Sequence, residues 1–225
     1  MDANGPDISR VTRSREQAEA SYSRLSRWYD LLANSSERKA RELGLRMLGA
    51  RDGEIVLEIG SGSGHGLVAL ARSVGPSGRV HGIDLSPGML GIAEARVRSA
   101  GLADRVDLRR GDATMLPFED GFFDAVFMSF VLELFDTPEI PMVLGECRRV
   151  LRPGGRLSVV ALSRKGKPGL ALKLYEWAHR TFPALCDCRP IYPQRSLVNA
   201  GFQLLAMAEE TMWGLPVEVI LARKG

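Results

Sequence analysis

The sequence predicts an α/β fold with a mostly parallel sheet and helices on both faces. Apolar strand segments alternate with helical segments from residue 54 to residue 162, which is typical of parallel strands joined by right-handed crossovers. Two further strand segments, 202–209 and 217–223, follow each other without a helix between them and predict a closing antiparallel pair. A glycine-rich turn after the first strand predicts where a ligand would bind.

Composition favours a single domain without a nucleic-acid surface. The chain has 225 residues, of which 45% are hydrophobic and 25% charged, enough to bury one well-packed core. Its net charge of +3 is mild, and basic residues are interspersed with acidic ones, so we expect no nucleic-acid partner. No apolar stretch resembles a signal peptide or reaches transmembrane length, so we expect a cytoplasmic protein.

The cysteines indicate neither a disulfide framework nor a metal site. Cys147 lies at a plausible buried helix position, whereas Cys186 and Cys188 form a close pair. Two thiolates without a nearby histidine or second pair fall short of a zinc site, so we expect no metal.

The chain is expected to begin with a tail and two cap helices. Residues 1–13 are polar and show no periodicity, which predicts a disordered tail. The predicted domain covers residues 14–225, and its cap helices lie within residues 14–50. The second of these helices is predicted at residues 36–48.

The first strand ends in a loop with glycine at every second position. These glycines are Gly60, Gly62, Gly64 and Gly66. A dinucleotide-binding G-x-G-x-x-G pattern would need glycine where His65 or Leu67 stands, and a phosphate-binding P-loop would need a lysine that the loop lacks. The loop therefore indicates another polar ligand, or else a plain connection between strand and helix.

The second strand, predicted at residues 79–84, ends in a carboxylate. An acid at this place lies beside the crevice of a parallel sheet, where Asp84 can accept both hydroxyls of a ribose. Asp84 could instead cap the following helix, although Ser86 fills that role better. Leu85 and Met89 would pack on an adenine ring or belong to the core.

The remaining elements continue the alternation. Strands are predicted at residues 106–108, 122–130 and 156–162, and helices at residues 140–151 and 194–200.

Three motifs resemble those of class I S-adenosylmethionine-dependent methyltransferases. The run EIGSGSG at residues 58–64 is similar to motif I of that family, an acidic residue and an aliphatic residue followed by G-x-G-x-G. GDATMLPF at residues 111–118 is similar to the family's GDA-x-x-LPF segment, and LRPGGRL at residues 151–157 to a frequent turn of its core. The resemblance implies a Rossmann-like seven-stranded sheet, S-adenosylmethionine as cofactor and S-adenosylhomocysteine as product.

The resemblance also implies a set of cofactor-binding residues. The Asp112 carboxylate would accept the adenine amino group and the Ala113 amide would meet a ring nitrogen, while Ser129 would approach the methionine part. The full set is Glu58, Gly60, Ser61, Gly62, Gly64, Asp84, Leu85, Met89, Asp112, Ala113, Ser129, Tyr22 and Tyr29. Glu133, four residues after Ser129, could help to hold the ammonium of the cofactor or act near the acceptor, but it is expected to be a surface carboxylate at a helix start.

The first cap helix resembles the entry helix of the ubiquinone and menaquinone biosynthesis C-methyltransferases. Tyr22, Tyr29 and Asp30 match its pattern, which implies that they cap the cofactor and help to close the site. The same aromatic residues could instead pack only on the body of the domain.

Methyl transfer from a sulfonium needs chiefly positioning of the two partners. A base is needed only where the acceptor must lose a proton, and the candidates are His179, Tyr29 and Asp30. A lone helical histidine such as His179 is more often a packing residue, and His65 and His81 are expected to be structural.

The acceptor is expected to be a small molecule, with a quinone-type or other aromatic ring. Residues 164–200 would form an insertion that covers the substrate, and this cover is short for a ring with a polyprenyl tail. One alternative is a phospholipid N-methyltransferase that touches the membrane through the basic residues Arg164, Lys165 and Lys167. Another is a cofactor-binding protein without turnover.

Overall fold

The computed structural model describes residues 37–165 and 188–225. Seven strands form one sheet in these ranges. They are β1 (Ile55–Ile59), β2 (Arg79–Asp84), β3 (Val106–Arg110), β4 (Phe123–Ser129), β5 (Leu151–Leu162), β6 (Phe202–Met212) and β7 (Leu215–Lys224). Their order across the sheet is β3-β2-β1-β4-β5-β7-β6, with β7 antiparallel to both neighbours and the first five strands parallel. The predicted seven-stranded, mostly parallel sheet with an antiparallel C-terminal pair is confirmed.

Helices cover both faces of this sheet, as predicted. They are α1 (37–48), α2 (His65–Ser73), α3 (Pro87–Ser99), α4 (Ile140–Val150) and α5 (Pro193–Asn199), and a short 3₁₀ turn lies at Leu132–Leu134. The first three helices share one buried cluster with the sheet, which includes Leu48, Leu70 and Val97. The last two share the other, which includes Cys147 and Leu197.

Several strand boundaries differ from the prediction; β6 ends at Met212 rather than at residue 209, and β5 differs most. β5 begins at Leu151 rather than at Arg156, so the proline–glycine turn predicted to precede it lies inside the strand. The register against β4 shifts between Phe123 and Ala125, and Gly154 takes up a positive φ of 73°, so the extra residues form a bulge. β3 likewise runs on to Arg110, because pairing with β2 continues to the end of that strand.

The strand order determines where a crevice for a ligand lies. β1 and β4 are neighbours although two strands separate them in sequence, so their connections leave in opposite directions and open a crevice at their carboxyl ends. We call the side of the sheet where the parallel strands end the carboxyl edge. No helix in the described ranges is long and apolar enough to cross a bilayer.

Candidate functional site

The glycine loop after β1 is fixed by its neighbours on three sides. The Gly60 amide donates to the Ile83 carbonyl at 2.8 Å, and a Cβ on Gly60, whose φ is 67°, would overlap the Val131 side chain. Gly64, with a φ of 84°, caps α2, and a Cβ there would lie 2.9 Å from the Cα of Ala93. Close packing and left-handed backbone therefore both require glycine at these two positions.

The centre of the loop is open. Gly62 also has a positive φ, of 49°, but a Cβ on it would meet nothing nearer than the Gly60 carbonyl at 4.0 Å. No side chain caps the following helix, α2. The unsatisfied amides of that first turn carry a partial positive charge, so the loop and the helix end can receive polar or negative groups of a ligand.

Asp84 joins the glycine loop to the start of α3. Its Oδ2 accepts the Gly62 amide at 2.8 Å and its Oδ1 accepts the Ser86 amide at 2.9 Å. Burial raises the pKa of this carboxyl above its usual range, and hydrogen bonds from the backbone amides of Ser86, Gly62 and Leu85 oppose that rise. Ser86 caps α3 by accepting the Met89 amide at 3.3 Å, as predicted.

Glu58 is a buried carboxyl directly below the loop. It is 3% exposed, and its Oε2 has no hydrogen-bond partner among the described residues. Burial raises its pKa to about 8, the Arg41 guanidinium opposes the rise, and the charge of Asp84 adds to it. A Cβ on Gly66 would overlap this carboxyl group, so the fourth loop glycine makes room for Glu58 against the first turn of α2.

Two buried hydroxyls complete a set of polar groups without partners. The Oγ atoms of Ser61, in the loop, and Ser129, at the end of β4, make no hydrogen bond within the described parts of the chain. Phe130 follows Ser129 with a left-handed φ of 56° while its amide donates to the Val160 carbonyl at 2.8 Å. Since buried polar atoms are almost always paired, these groups indicate a polar ligand at this edge.

The structure brings the second aspartate to the same edge. The Gly111 amide donates to the Asp84 carbonyl at 3.1 Å, so the turn after β3 starts beside the end of β2. The Asp112 Oδ1 accepts both the amide and the hydroxyl of Thr114 at 2.9 Å, and Ala113 is 4% exposed. Asp112 thus shapes its own turn while lying next to the strand that carries Asp84.

The predicted core contacts of the cofactor set are partly visible. Met89 is 4% exposed on the first turn of α3, and Leu85 is partly buried beside it. His65 is the first residue of α2, and His81 lies in β2, where burial lowers its pKa. Tyr22, Tyr29, Asp30, His179 and Cys186 lie outside the described residues.

The prediction for Glu133 is wrong. This residue is fully buried, and its Oε1 accepts the Leu162 amide at 3.0 Å, which links the ends of β4 and β5. Arg189, in the segment before α5, is 1% exposed. It donates to the Phe135 carbonyl at 2.6 Å and to the Thr137 hydroxyl at 3.0 Å. Neither residue has a sequence signal, because the pairing partners of both are distant in sequence.

No cluster of metal-ligating side chains occurs in residues 37–165 or 188–225.

Residues 56–155 match a family model described as a methyltransferase domain. The demethylmenaquinone methyltransferase of Lactobacillus johnsonii is 32% identical over 166 residues, which cover 72% of this chain and 67% of that protein. The chain belongs to the class I S-adenosylmethionine-dependent methyltransferases.

Two further relatives of this methyltransferase are named for quinone rings. The 2-phytyl-1,4-naphtoquinone methyltransferase of Synechococcus elongatus is 36% identical over 62% of this chain, and the demethylmenaquinone methyltransferase of Staphylococcus aureus is 34% identical over 69%. The match spans 59% and 64% of those two proteins, less than two thirds of their length.

Solved structures confirm the fold of this methyltransferase. The cyclase SpnF superposes with a TM-score of 0.76 at 19% identity, covering 96% of this chain and 99% of SpnF. A SAM-dependent methyltransferase from Aquifex aeolicus superposes with a TM-score of 0.66 at 20% identity, covering 90% and 98%. At these identities the likeness concerns the fold alone.

The cofactor of this family, S-adenosylmethionine, suits the donor set at the carboxyl edge. It carries ribose hydroxyls, an adenine amino group, and an ammonium and carboxylate on its methionine part. The site offers carboxylates, hydroxyls and loop amides for such groups, and the space at Gly62 that a side chain would otherwise enter.

Proposed function

We propose that this methyltransferase transfers the methyl group of S-adenosylmethionine to a small quinone-type aromatic ring. One observation carries the proposal for the acceptor: the relatives at 32–36% identity are named for demethylmenaquinone and for a phytylated naphthoquinone. The cofactor supplies a methyl group on a positively charged sulfur. The residues around the carboxyl edge hold the cofactor and the acceptor ring at the distance and angle that methyl transfer requires.

Asp84 is proposed to bind the ribose. Its Oδ2 accepts the Gly62 amide and its Oδ1 accepts the Ser86 amide, and since a carboxylate oxygen can accept more than one hydrogen bond, the group can also accept ribose hydroxyls. The Gly62 amide fixes the orientation of the carboxylate towards the loop. Burial strengthens these hydrogen bonds, because little water competes for the same atoms.

Asp112 and Ala113 are proposed to read the adenine, and Leu85 and Met89 to pack on it. The Asp112 carboxylate would accept the amino group, while its Oδ1 also accepts the amide and the hydroxyl of Thr114. The carboxylate accepts from the adenine amino group, and the neighbouring Ala113 amide donates to a ring nitrogen.

The methionine part is proposed to lie over the glycine loop. Glu58, Ser61 and Ser129 present the polar atoms without partners, while Gly60 and Gly64 hold the loop in shape. Tyr22 and Tyr29 are proposed to close the site on this side.

Methylation of a ring carbon requires one proton to leave that ring. The carbon–sulfur bond breaks, the carbon–carbon bond forms, and the ring proton passes to a base, for which Tyr29, Asp30 and His179 are the proposed residues. The base needs only to reach the ring, because the positive sulfur already makes the methyl group reactive.

The proposal is tested by titration followed by an assay of turnover. Isothermal titration should detect binding of both S-adenosylmethionine and S-adenosylhomocysteine. A short-tailed demethylmenaquinone should then be methylated, with S-adenosylhomocysteine formed in equal amount, while phosphatidylethanolamine should not. Binding without turnover of any quinone, or methylation of phosphatidylethanolamine alone, would refute the proposed acceptor.

The proposed bases need a second measurement. Tyr29→Phe, Asp30→Asn and His179→Gln should be compared at saturating acceptor and cofactor. The variant that removes the acting base should lower kcat and leave the dissociation constant of the cofactor unchanged. If all three variants keep the kcat of the parent protein, no base among them acts in the reaction.

A further inference from the structure

The hairpin between β6 and β7 ends in an exposed tryptophan at a position that disfavours one. Met212 pairs with Leu215, so the loop consists of two residues, Trp213 and Gly214. Both have positive φ, 51° and 78°, which is the backbone of a type I′ turn. Asparagine or glycine suits its first position, whereas a bulky residue there is strained.

At this hairpin tip, Trp213 with Gly214, side-chain packing does not offset the backbone strain. The Trp213 side chain is 64% exposed, although Met212 and Leu215 on either side are buried. A strained backbone under an exposed aromatic ring lowers stability without filling the core. Such local conflicts are expected where function overrides stability.

The tip stands at the same edge as the cofactor site. Ser129 pairs with Val160, which pairs with Val219 on β7, and the tip lies five residues from Val219 towards the carboxyl edge. At about 3.3 Å per residue the hairpin projects roughly 16 Å beyond the level of Ser129. Met142, in the first turn of α4 just after the β4 connection, is 54% exposed at this edge as well.

The charges around the tip are balanced. Lys165 pairs with Glu209 at 2.8 Å, and Lys39 pairs with Glu210 at 2.9 Å, on the residues that lead up to the turn. The surface therefore offers an aromatic ring framed by neutralised charges rather than a basic patch. Tryptophan in this setting is typical of residues that sit at the boundary between water and a lipid bilayer.

We propose that the hairpin tip is an interfacial anchor, which inserts Trp213 into the headgroup region of a bilayer and holds the carboxyl edge against it. The inference rests on the proposed function and extends its acceptor to a ring that carries an apolar tail, such as the phytyl group in the name of one relative, because such a tail partitions into bilayers rather than water. Anchoring at this edge presents the site to the surface in which such an acceptor is dissolved. It does not require anionic lipid, since the neighbouring charges are already paired.

The test uses sedimentation of the full chain with neutral phosphatidylcholine vesicles. Trp213→Asn places the favoured residue in the type I′ turn, so its melting temperature should equal or exceed that of the parent protein. The parent should partition to vesicles at least tenfold more strongly than Trp213→Asn, with little change when salt rises. Val198→Asn is the matched control, because Val198 is 53% exposed on α5, near the opposite edge, and should not alter partitioning.

Two outcomes would overturn the anchor. Equal vesicle binding by the parent and Trp213→Asn would refute the anchor, as would vesicle binding by the parent that high salt abolishes.

An activity comparison separates the anchor from direct contact with the acceptor. Trp213→Asn should methylate a short-tailed, water-soluble quinone normally and a long-tailed quinone in vesicles at least fivefold more slowly; an equal loss with both would refute the anchor.

Failure of the proposed function gives a different result. If no quinone is methylated in either form, the acceptor is wrong, while the vesicle sedimentation of the parent and of Trp213→Asn still decides whether the tip binds bilayers.

Discussion

The two halves of the carboxyl edge are built in different ways. Around β1, β2 and β3 the chain presents backbone amides, left-handed glycines and short acidic side chains, held within a few residues of the strand ends. Around β4, β5 and β7 the corresponding positions are filled by fully buried groups such as Glu133 and Arg189, which link distant segments. The first half is shaped by local backbone geometry, and the second by tertiary contacts between distant segments.

This difference explains how much the sequence could predict. Glycine spacing, Asp84 and the Ser86 cap follow from short-range rules, so the loop and its acidic partner were predictable to the residue. The parallel pairing of the first five strands also followed from the alternation of strands and helices.

The half around β4, β5 and β7 could not be predicted in the same way. Glu133 precedes a predicted helix, and by local rules an acid there lies on the surface and favours the helix dipole. Its burial depends on the Leu162 amide, 29 residues away, which no local pattern reveals. The Trp213 turn was missed for a related reason, because asparagine and glycine are the residues that signal a type I′ turn.

The largest effect is expected from Gly60→Ala, in the half around β1, β2 and β3. The new Cβ meets Val131 and must adopt a φ of 67°, so strain and overpacking together should lower the free energy of unfolding by about 2 kcal/mol or more. Cofactor affinity should fall beyond detection by isothermal titration, because the loop can no longer keep its shape.

Two other glycines serve as controls for Gly60→Ala. The new methyl group of Gly62→Ala faces open space, but the backbone at this position has a positive φ. The variant should therefore show backbone strain without steric overlap. Gly91→Ala, in the middle of α3 with nothing within 4 Å, should stabilise the protein by about 0.5–1 kcal/mol. Equal losses in all three variants would contradict this account of the loop.

The next effect is expected from Asp84→Ala. Removing two charge-assisted hydrogen bonds to a ribose should weaken the binding of S-adenosylmethionine by about 100-fold, measured by isothermal titration. Asp104→Ala is the control, since the Asp104 side chain is 74% exposed and lies before β3 at the opposite edge. An unchanged dissociation constant for Asp84→Ala would remove the ribose assignment.

Glu133 tests the half around β4, β5 and β7. Glu133→Ala leaves the buried Leu162 amide without an acceptor and creates a cavity, so it should lower the free energy of unfolding by about 2–4 kcal/mol, measured by urea denaturation. Glu133→Gln keeps an acceptor oxygen and should lose much less. Binding of S-adenosylmethionine should change less than threefold in the Gln variant; a loss as large as that of Asp84→Ala would mean that the two halves are not separate.

The effect of Glu58→Gln is expected in the pH dependence of stability. The folded pKa of about 8 exceeds the usual 4.5, so between these values the folded state keeps a proton that the unfolded state has released. Relative to Glu58→Gln, the parent should therefore lose stability as pH rises from 4.5 to 8, by at most about 1.4 kcal/mol per pH unit, with no further change above or below that window. Denaturation of both proteins at pH 5, 7 and 9 measures this difference.

The cofactor should reverse part of that loss. A cationic ligand favours the ionised form of Glu58, so the parent should bind S-adenosylmethionine more tightly at pH 9 than at pH 7 and release protons on binding at pH 7. Glu58→Gln cannot ionise at this position, and its affinity should vary less over the same range. Titration in two buffers of different ionisation enthalpy counts the protons released. Parallel stability curves together with equal proton release in both proteins would show that Glu58 does not titrate in this window.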